Sequence, residues 1–494
     1  MGISITQETF TEAEYHAFSE RLYQSLDCLK ELIQRPGFGL GQHYIGAELE
    51  NYIVDKNGYV LPLNQAIIEA AQDHRYTVEL NRFNLEVNFD PIAFKSNPFS
   101  QLQTAIEHHH QSLQQTAANF DAEIVPIGIL PTLRQQDLDR SSMTDLARYR
   151  SLSKQLFNMR GDLFKINITG ADELQLNCDH VAVEGANTSF QYHLMVKHED
   201  FANAFNAVQL ITPMVLALAA NSPIFLGNIL WNETRVALFK QSIDSRQRGQ
   251  VEWRQPARVT FGHGWVRQNA WELFAEAVAL YPPMFPIISD QPINCNGSAL
   301  PPLEELCLHL GTIWPWNRPV YCPNDGGHVR IEMRALPAGP TAEDMCANVA
   351  FATGLVQGLI GHIDELLAVI PFRFAEYNFY RAAQRGLDAS IVWTSPSKHE
   401  PQEQSITTVI ESMLPLANAG LKELGIADQE RESYMNNIYK RLESGQTGAT
   451  WQKEQVRQLN QKLNREESLE EMFRRYRQWH ASGVPVSEWT FESI

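Results

Sequence analysis

The sequence contains few cysteines and no motif that pairs them. Its 494 residues include six cysteines, and no two are spaced as in a C-x-x-C motif. This argues against a zinc ribbon or a thioredoxin-like redox site, and six cysteines are too few for a disulfide framework. The segment Met1 to Phe10 also lacks the basic and apolar regions of a secretory signal. We therefore expect reduced thiols and a cytoplasmic protein.

Positive charge is also scarce. Lysine and arginine number 40 against 58 aspartates and glutamates, which gives a net charge of −18. An acidic chain repels phosphate backbones, so we expect no nucleic-acid partner. The most apolar segment, residues 209–231, contains prolines and asparagines. A membrane span needs about 20 mostly apolar residues, so this segment predicts a buried helix instead, and no membrane partner is expected.

The common nucleotide and nucleophile motifs are missing. The chain contains no G-x-x-x-x-G-K-[ST] loop, no G-x-G-x-x-G turn between a strand and a helix, and no G-x-S-x-G elbow. These absences argue against a P-loop, a dinucleotide fold and a serine hydrolase of the elbow type. Any bound phosphate would have to be held by metal ions and arginine.

The pattern of strands and helices predicts the fold class. About six strands are expected between residues 44 and 335, followed by helices almost to the end. The strands alternate polar and apolar residues and are separated by long insertions. This favours an antiparallel sheet with one covered face, and hence an α+β fold.

Carboxylates inside strands are the most informative feature. Glu48 and Glu50 are two residues apart, so both point to one face of an extended strand. A turn at residues 81–84 would bring Glu79 and Glu86 to one cleft. Like charges on one sheet face are unfavourable unless a cation lies between them or the face is exposed to solvent.

Two further strands repeat this pattern. Gln191 and His193 share one strand face, and Arg330, Glu332 and Arg334 share another. Taken separately, His193 is interpreted as a structural histidine. The three charged residues of the other strand are interpreted as an exposed ladder of ion pairs. Together with the glutamates they indicate a nucleotide–metal site, because phosphoryl transfer uses metal ions and arginine. Oxygen ligands favour Mg²⁺ or Mn²⁺ over structural zinc.

Two other segments have no assigned role. The consecutive residues His108, His109 and His110 face different directions on a predicted helix, so we expect an exposed run and no metal site. Residues 251–265 combine arginines with glycines, which is typical of a loop that lines a site. The sequence does not identify the ligand of that loop.

Five short segments stand out between about residues 44 and 350. They are Ile-Gly-Ala-Glu-Leu-Glu at 45–50, Glu79 with Leu-Glu-Val-Asn at 85–88, Thr-Ser-Phe-Gln-Tyr-His at 188–193, Asn-Ser-Pro-Ile-Phe-Leu-Gly at 221–227, and Ile-Glu-Met-Arg at 331–334. In sequence and in order, these segments resemble the ATP-dependent carboxylate–amine ligases of the glutamate–cysteine ligase type.

The resemblance implies a fold. It implies a glutamine-synthetase-like, curved antiparallel sheet of about six strands, with helices outside and a helical C-terminal part. Residues 1–350 would form the catalytic sheet domain, and residues 351–494 would pack on it as helices. ATP and metal ions would bind in the concave face of the sheet.

The resemblance also implies a reaction. The γ-phosphate of ATP would pass to an amino-acid carboxylate, expected to be that of glutamate, and an amine such as cysteine would displace the phosphate to form an amide. ATP and Mg²⁺, or Mn²⁺, would be the cofactors. The partners would be small-molecule amino-acid and amine substrates, and assembly into a homo-oligomer is left open.

Carried over residue by residue, the resemblance implies two metal sites with three ligands each. One would consist of Glu50, Glu79 and Glu86. The other, which would bridge the ATP phosphates, would consist of Glu48, His193 and Glu332.

The resemblance further implies catalytic and nucleotide-binding residues. Arg334, beside Glu332, would stabilise the transferred phosphoryl group, and Arg235 is a catalytic candidate for contact with a substrate carboxylate or phosphate. The candidates for contacts with the nucleotide are Arg334, Gln191, Lys165 and Arg258.

Two alternatives remain open. The protein could bind nucleotide without catalysis and act as a partner or regulator, or it could be a metal-dependent hydrolase whose carboxylates activate water. A hydrolase would need neither ATP nor Arg334 next to Glu332. The intact set of predicted metal and arginine positions favours the ligase over a silent protein.

Overall fold

The computed structural model describes most of the chain. The described residues are 5, 7–41, 43–247, 255–297, 299–395 and 398–492. The strands are β1 Tyr44–Val54, β2 Tyr76–Val78, β3 Asn84–Asn88, β4 Ile92–Ala93, β5 Glu123–Val125, β6 Phe164–Thr169, β7 Glu173–Cys178, β8 Phe190–Met195, β9 Ile224–Phe225, β10 Asn228–Ile229, β11 Val259–Thr260, β12 Trp314–Pro315, β13 Asn317–Cys322, β14 His328–Met333, β15 Ser390–Ser395 and β16 Lys398–Ser405. The α-helices are α1 Glu12–Ile33, α2 Asn64–Ala71, α3 Pro98–Ala118, α4 Ala147–Arg160, α5 Phe201–Ala219, α6 Thr234–Ser242, α7 Trp271–Leu280, α8 Glu304–Leu310, α9 Ala342–Ile360, α10 Ile363–Val369, α11 Phe372–Arg385, α12 Ile406–Glu423, α13 Asp428–Ser444, α14 Gly448–Leu459 and α15 Arg465–Ser482.

A curled antiparallel sheet forms the centre of the molecule. Its strands follow the order β13-β14-β8-β1-β3-β2, and every neighbouring pair on this path is antiparallel. The short strands β4 and β5 pair with the two ends of β1. The predicted α+β class and the six-stranded antiparallel sheet are therefore confirmed.

The alternating pattern of β1 divides the sheet into a covered face and a polar face. Ile45, Ala47 and Leu49 are buried, and the glutamates between them point the other way. The register of the neighbouring strands places Glu50 opposite Glu86 on β3. On the other side, β8 and β14 continue the same register, with His193 opposite Glu332. Polar residues from four strands therefore meet on one face.

Apolar helices form the core of the protein. The segment His198–Ala219, which contains α5, is long and apolar enough to cross a membrane, but 94% of its apolar window is buried inside the protein. A second candidate within the described residues is the pair α9 and α10, which is bent by 90°. The burial of α5 agrees with the predicted core helix. Helix α9, which comes later in the chain, packs on α5.

Helices α9 and α12 cross with their backbones in close contact. A Cβ atom added at Gly354 of α9 would lie 2.3 Å from the Ala417 carbonyl oxygen. A Cβ atom added at Gly420 of α12 would lie 2.1 Å from the Gly354 carbonyl oxygen. A side chain at either glycine would therefore force the two helices apart.

The C-terminal region is mainly helical, with one addition. The pattern predicted helices almost to the end, but β15 and β16 form an antiparallel hairpin between α11 and α12. Helix α9 runs continuously through residue 350. The division into residues 1–350 and 351–494 stays a prediction.

Two expectations from the sequence are wrong. Cys28 on α1 and Cys295 form a disulfide across 267 residues, so the thiols are not all reduced. The histidine run is exposed only at His108, because α3 is covered on more than one side. His109 is 6% exposed and its Nδ1 lies 2.9 Å from the Tyr76 hydroxyl, while Nε2 of His110 lies 3.2 Å from Nε2 of His480 on α15.

The helix crossing generates a stability prediction. Gly420→Ala should lower the free energy of unfolding by about 1–3 kcal/mol, because its methyl group would overlap the α9 backbone. Gly361→Ala is the matched control, since a Cβ there meets no atom within 4 Å and its φ is −74°. Thermal unfolding of both variants measures the difference. Equal melting temperatures would contradict the close crossing.

Candidate active site

The polar face of the sheet brings both predicted metal-ligand sets together. In each set, one ligand atom per residue lies within 4.8 Å of the others. The carboxylate set consists of Glu50, Glu79 and Glu86. The mixed set consists of Glu48, His193 and Glu332. Their roles as metal ligands stay predictions, and both groupings have the size expected for one ion each.

Within the described residues, the carboxylate set is bonded only by neutral donors. Glu50 accepts hydrogen bonds from the Ser189 amide at 2.7 Å and from the Ser189 hydroxyl at 2.8 Å. Glu86 accepts from the Thr77 hydroxyl at 3.1 Å and from the Asn88 side chain at 2.8 Å. Half-buried carboxylates with no cationic donor among the described residues fit a divalent cation, which prefers oxygen ligands.

The pKa values of all three carboxylates are raised, as expected where burial is not offset by a cationic donor. Burial and the charges of Glu48 and Glu50 raise the pKa of Glu86 to about 8. Burial and the charge of Glu86 raise the pKa of Glu79 well above its usual range. Burial also raises the pKa of Glu50. A bound cation would favour the ionised form of all three groups.

The mixed set differs because arginines already neutralise it. Glu332 is 1% exposed and accepts hydrogen bonds from Arg334 at 3.1 Å and from Arg318 on β13. Burial opposes its ionisation, yet Arg318 and Arg334 hold the pKa of Glu332 far below its usual range. His193 lies 3.0 Å from Glu48 through Nε2, and the Arg330 Nε–H donates to its Nδ1 at 3.1 Å.

Arg334 interacts with both sets. Its Nη1 group donates to Glu332 and to the side-chain oxygen of Gln191. Burial opposes its charge, but Glu332, Glu48, Glu50 and Glu86, in that order, raise the pKa of Arg334. One guanidinium therefore interacts with carboxylates of both sets.

The remaining predicted residues lie at different distances from this face. Arg235 on α6 is 3% exposed, and its Nη1 donates to Glu233 at 3.2 Å and to the Ala335 carbonyl at 3.1 Å. Its charge lowers the pKa of nearby Glu50 against the effect of burial. Arg235 therefore lies beside the carboxylate set, but its bonds are those of a buried structural residue, and its contact with substrate stays a prediction.

Lys165 and Arg258 are not brought to the polar face. Lys165 lies on the separate β6–β7 hairpin and pairs with Asp162 at 3.1 Å. Arg258 donates to the carbonyls of Thr312 at 3.1 Å and Pro282 at 2.7 Å. Their predicted contacts with the nucleotide therefore receive no support from the geometry and stay predictions.

Two charged residues near the site were missed from the sequence. Glu184 precedes β8 in a short 3₁₀ turn, and burial together with the charge of Glu50 raises its pKa to about 8. A carboxylate in a turn has no periodic pattern to reveal it. Arg318 was missed because its strand was not predicted, although the alternation of Asn317–Cys322 carries a strand signal.

Comparison with known proteins supports the sequence resemblance. Residues 44–268 match the model of glutamate–cysteine ligase family 2 (GCS2). Two curated relatives, each named "Putative glutamate–cysteine ligase 2", come from Micrococcus luteus and Trichormus variabilis. They are 24% and 26% identical over 46% and 47% of this chain, and the matches cover 48% and 49% of their own length. The chain thus spans about half the length of the curated relatives it matches.

A solved structure shares the fold. The crystal structure of a glutamate–cysteine ligase from Francisella tularensis in complex with AMP has a TM-score of 0.51 and 11% sequence identity. The alignment covers 92% of this chain and 90% of that one. These findings confirm the predicted resemblance to the glutamate–cysteine ligase type and its sheet architecture. Glu332 and Arg334 lie beyond the segment matched by the family model, so their place in the site depends on the geometry.

The shortage of cations predicts a pH-dependent response to metal. The pKa of Glu86 is about 8 in the folded chain, against about 4.3 when unfolded. Because the folded value is raised, its contribution to stability is complete below the unfolded pKa and is lost as the pH rises towards 8. Mg²⁺ should therefore raise the melting temperature more at pH 8 than at pH 6.

The controls for this prediction are two isosteric variants. Glu86→Gln should stabilise the metal-free chain at pH 8 and reduce the response to Mg²⁺. Glu173→Gln removes an exposed strand carboxylate and should leave both unchanged. An equal Mg²⁺ response in Glu86→Gln and the unmodified protein would show that this set does not bind the ion.

Proposed function

We propose that this protein is an ATP- and Mg²⁺-dependent ligase that joins the carboxylate of an amino acid, glutamate or a close analogue, to an amine such as cysteine. The observation that carries the proposal is that Arg334 interacts electrostatically with both sets of candidate metal ligands on one sheet face. The names of the matched relatives support glutamate and cysteine as the substrates.

The donor sets fit two magnesium ions in different degrees. Glu50, Glu79 and Glu86 would hold one ion, and this set fits best because no cationic side chain in the described part of the chain donates to it. Glu48, His193 and Glu332 would hold the other. When bound, the ions neutralise the negative charge of the ATP phosphates and position them for transfer.

Arg334 supplies the positive charge that the transfer requires from the protein. Its guanidinium bonds to Gln191 and Glu332, and its side chain is 16% exposed, so the group is both oriented and accessible. A guanidinium held in this way is preorganised for the oxygens of a phosphoryl group, at no cost in reorientation. Gln191 and Glu332 are therefore positioning residues for Arg334.

The chemistry needs no nucleophile from the protein. A substrate carboxylate oxygen attacks the γ-phosphorus and ADP leaves, which gives an acyl phosphate. The amine nitrogen then bonds to the acyl carbon while the carbon–oxygen bond to phosphate breaks. The products are the amide, ADP, inorganic phosphate and a proton. The buried thiols agree with this route, since burial raises the pKa of Cys178 to about 11.

Removal of Arg334 tests the proposal. Arg334→Ala should lower kcat/KM for ADP release by about a thousandfold, which corresponds to ~4 kcal/mol of transition-state stabilisation. Glu50→Ala should abolish turnover as well, because the metal set loses a ligand. Arg267→Ala is the matched control, since that side chain is 83% exposed and pairs with Glu272 away from the sheet.

The assay measures ADP release from Mg²⁺–ATP with single amino acids and then with acid–amine pairs, and mass spectrometry detects the amide. Full activity in Arg334→Ala or Glu50→Ala would refute the site. A product released by water without need for ATP would indicate the hydrolase. Tight ATP binding without ADP release from any pair would indicate the silent protein.

A further inference from the structure

Arg330 is a positively charged residue of the polar face to which the proposed function assigns no role. The alternation of β14 places Arg330, Glu332 and Arg334 on the same side of the sheet. The two arginines therefore flank Glu332 along the strand direction, and their Cα atoms are roughly 13 Å apart. Only a ligand of some length, bound above Glu332, could contact both of them.

A hydrogen bond directs the Arg330 side chain towards the mixed set. Its Nε–H donates to Nδ1 of His193 at 3.1 Å, and Nε2 of the same ring lies 3.0 Å from Glu48. In the pairing of β14 with β8, His193 lies opposite Glu332. The guanidinium of Arg330 therefore lies at the edge of the mixed set, on the other side of Glu332 from Arg334.

The outer N–H groups of Arg330 are available to a ligand. Among the described residues, which do not include 251–254 of the loop predicted to line a site, none accepts a hydrogen bond from its Nη1 or Nη2 group and no carboxylate forms an ion pair with it. Burial and the charge of Arg330 lower the pKa of His328 to about 4, so that neighbouring ring carries no charge at pH 7. A half-buried guanidinium with free N–H groups favours an anionic ligand.

The carboxylates of the mixed set are already bonded to other groups. Glu332 accepts hydrogen bonds from Arg318 and Arg334. Glu48 lies against the histidine of the set. The charge of Arg330 is therefore not needed to hold these carboxylates, and it remains for a bound anion.

A chain of phosphates fits the spacing of the two arginines. A single phosphate or carboxylate is too short to contact guanidinium groups that start roughly 13 Å apart on the strand. A triphosphate is longer, and a guanidinium matches the oxygens of each phosphate group in pairs. Its terminal phosphate would meet Arg334, and the adjoining phosphates would extend along β14 towards Arg330.

We infer that Arg330 binds the phosphates of ATP that are not transferred, so that the triphosphate lies along β14 between two arginines with different roles. Arg334 contacts the γ-phosphate, which passes to the substrate. Arg330 contacts the part of the chain that leaves as ADP. The inference rests on the proposed function, because it assigns the orientation of the nucleotide in that site.

Binding of Mg²⁺–ADP tests this assignment, because ADP keeps the phosphates assigned to Arg330 and lacks the phosphate assigned to Arg334. In calorimetric titrations of the full chain, Arg330→Ala should weaken the binding of Mg²⁺–ADP by about tenfold or more, since a charge-assisted hydrogen bond is lost. Arg334→Ala should change this affinity by less than about threefold. Mg²⁺–tripolyphosphate should also bind more weakly to Arg330→Ala, because the contact is with phosphate and not with the base.

Further substitutions distinguish contact with phosphate from orientation of His193. Arg330→Gln keeps a side-chain donor for the ring but loses the charge, so it should bind Mg²⁺–ADP as weakly as Arg330→Ala. Arg330→Lys keeps the charge without the planar fork and should recover part of the affinity. Arg457→Ala is the matched control, since that side chain is 64% exposed and pairs with Glu454 on α14. Full recovery in Arg330→Gln would show that Arg330 only orients the histidine, and would overturn the inference.

Steady-state kinetics test the division of roles between the two arginines. Arg330→Ala should raise KM for ATP by about tenfold or more, with a much smaller fall in kcat. Arg334→Ala should act mainly on kcat, because its contact is with the group in transfer. An unchanged KM for ATP in Arg330→Ala, together with a lowered kcat, would contradict this division.

The binding experiment separates this inference from the proposed function, because it needs neither the acid nor the amine. An unchanged affinity for Mg²⁺–ADP in Arg330→Ala overturns the inference and leaves the ligase proposal intact. If no acid–amine pair releases ADP, the ligase proposal fails, while the affinities of the variants still decide the role of Arg330. An unmodified protein that binds neither Mg²⁺–ATP nor Mg²⁺–ADP would refute both. Equal melting temperatures of the variants exclude unfolding as the cause.

Discussion

The repulsion between buried carboxylates on one sheet face is the constraint on which the site depends. Glu48, Glu50, Glu79, Glu86 and Glu332 meet there because the strand register leaves them no other place. Arginines of β13 and β14 offset the charge of Glu332 at one end of the face. At the other end the described donors are neutral, and burial with the charges of Glu48 and Glu50 raises the pKa of Glu86 to about 8. Bound cations would offset this repulsion, which is the link between the fold and the proposed metal-dependent reaction.

The covered face of the sheet makes this charge arrangement tolerable. Ile45, Ala47 and Leu49 of β1 point into a core closed by α5 and α9, so the strands that carry the glutamates are held by apolar burial. The close crossing of α9 and α12 at Gly354 and Gly420 brings the C-terminal helices onto the same core. Stability therefore comes from one side of the sheet, and the other side is free to keep an electrostatically unfavourable arrangement for function.

The spacing of residues predicted the faces of the strands but not their neighbours. Glu48 and Glu50 are two residues apart, so both lie on the same side of any extended strand. Strand β1 confirms this. The pairing of Glu50 with Glu86 depends on register between distant segments, which the sequence does not encode locally. Without the family resemblance, the sequence would have predicted only separate pairs of residues on single strands, and not the two metal sets of three residues each. Glu184 lies in a turn and gave no periodic signal, whereas the alternation of the strand that carries Arg318 was overlooked. The burial of His109 and His110 and the Cys28–Cys295 disulfide arise only from tertiary packing.

The two ends of the polar face differ in the charge that the protein itself supplies. At one end Arg318 and Arg334 both donate to Glu332. At the other end the described donors to Glu50 and Glu86 are the neutral groups of Ser189, Thr77 and Asn88. An anion over the face would therefore meet arginine at the first end, and a cation would meet carboxylates at the second. A ligand that carries both charges, such as a metal-bound phosphate, is complementary to the whole face, and this is why the proposed function assigns the two ends to one reaction.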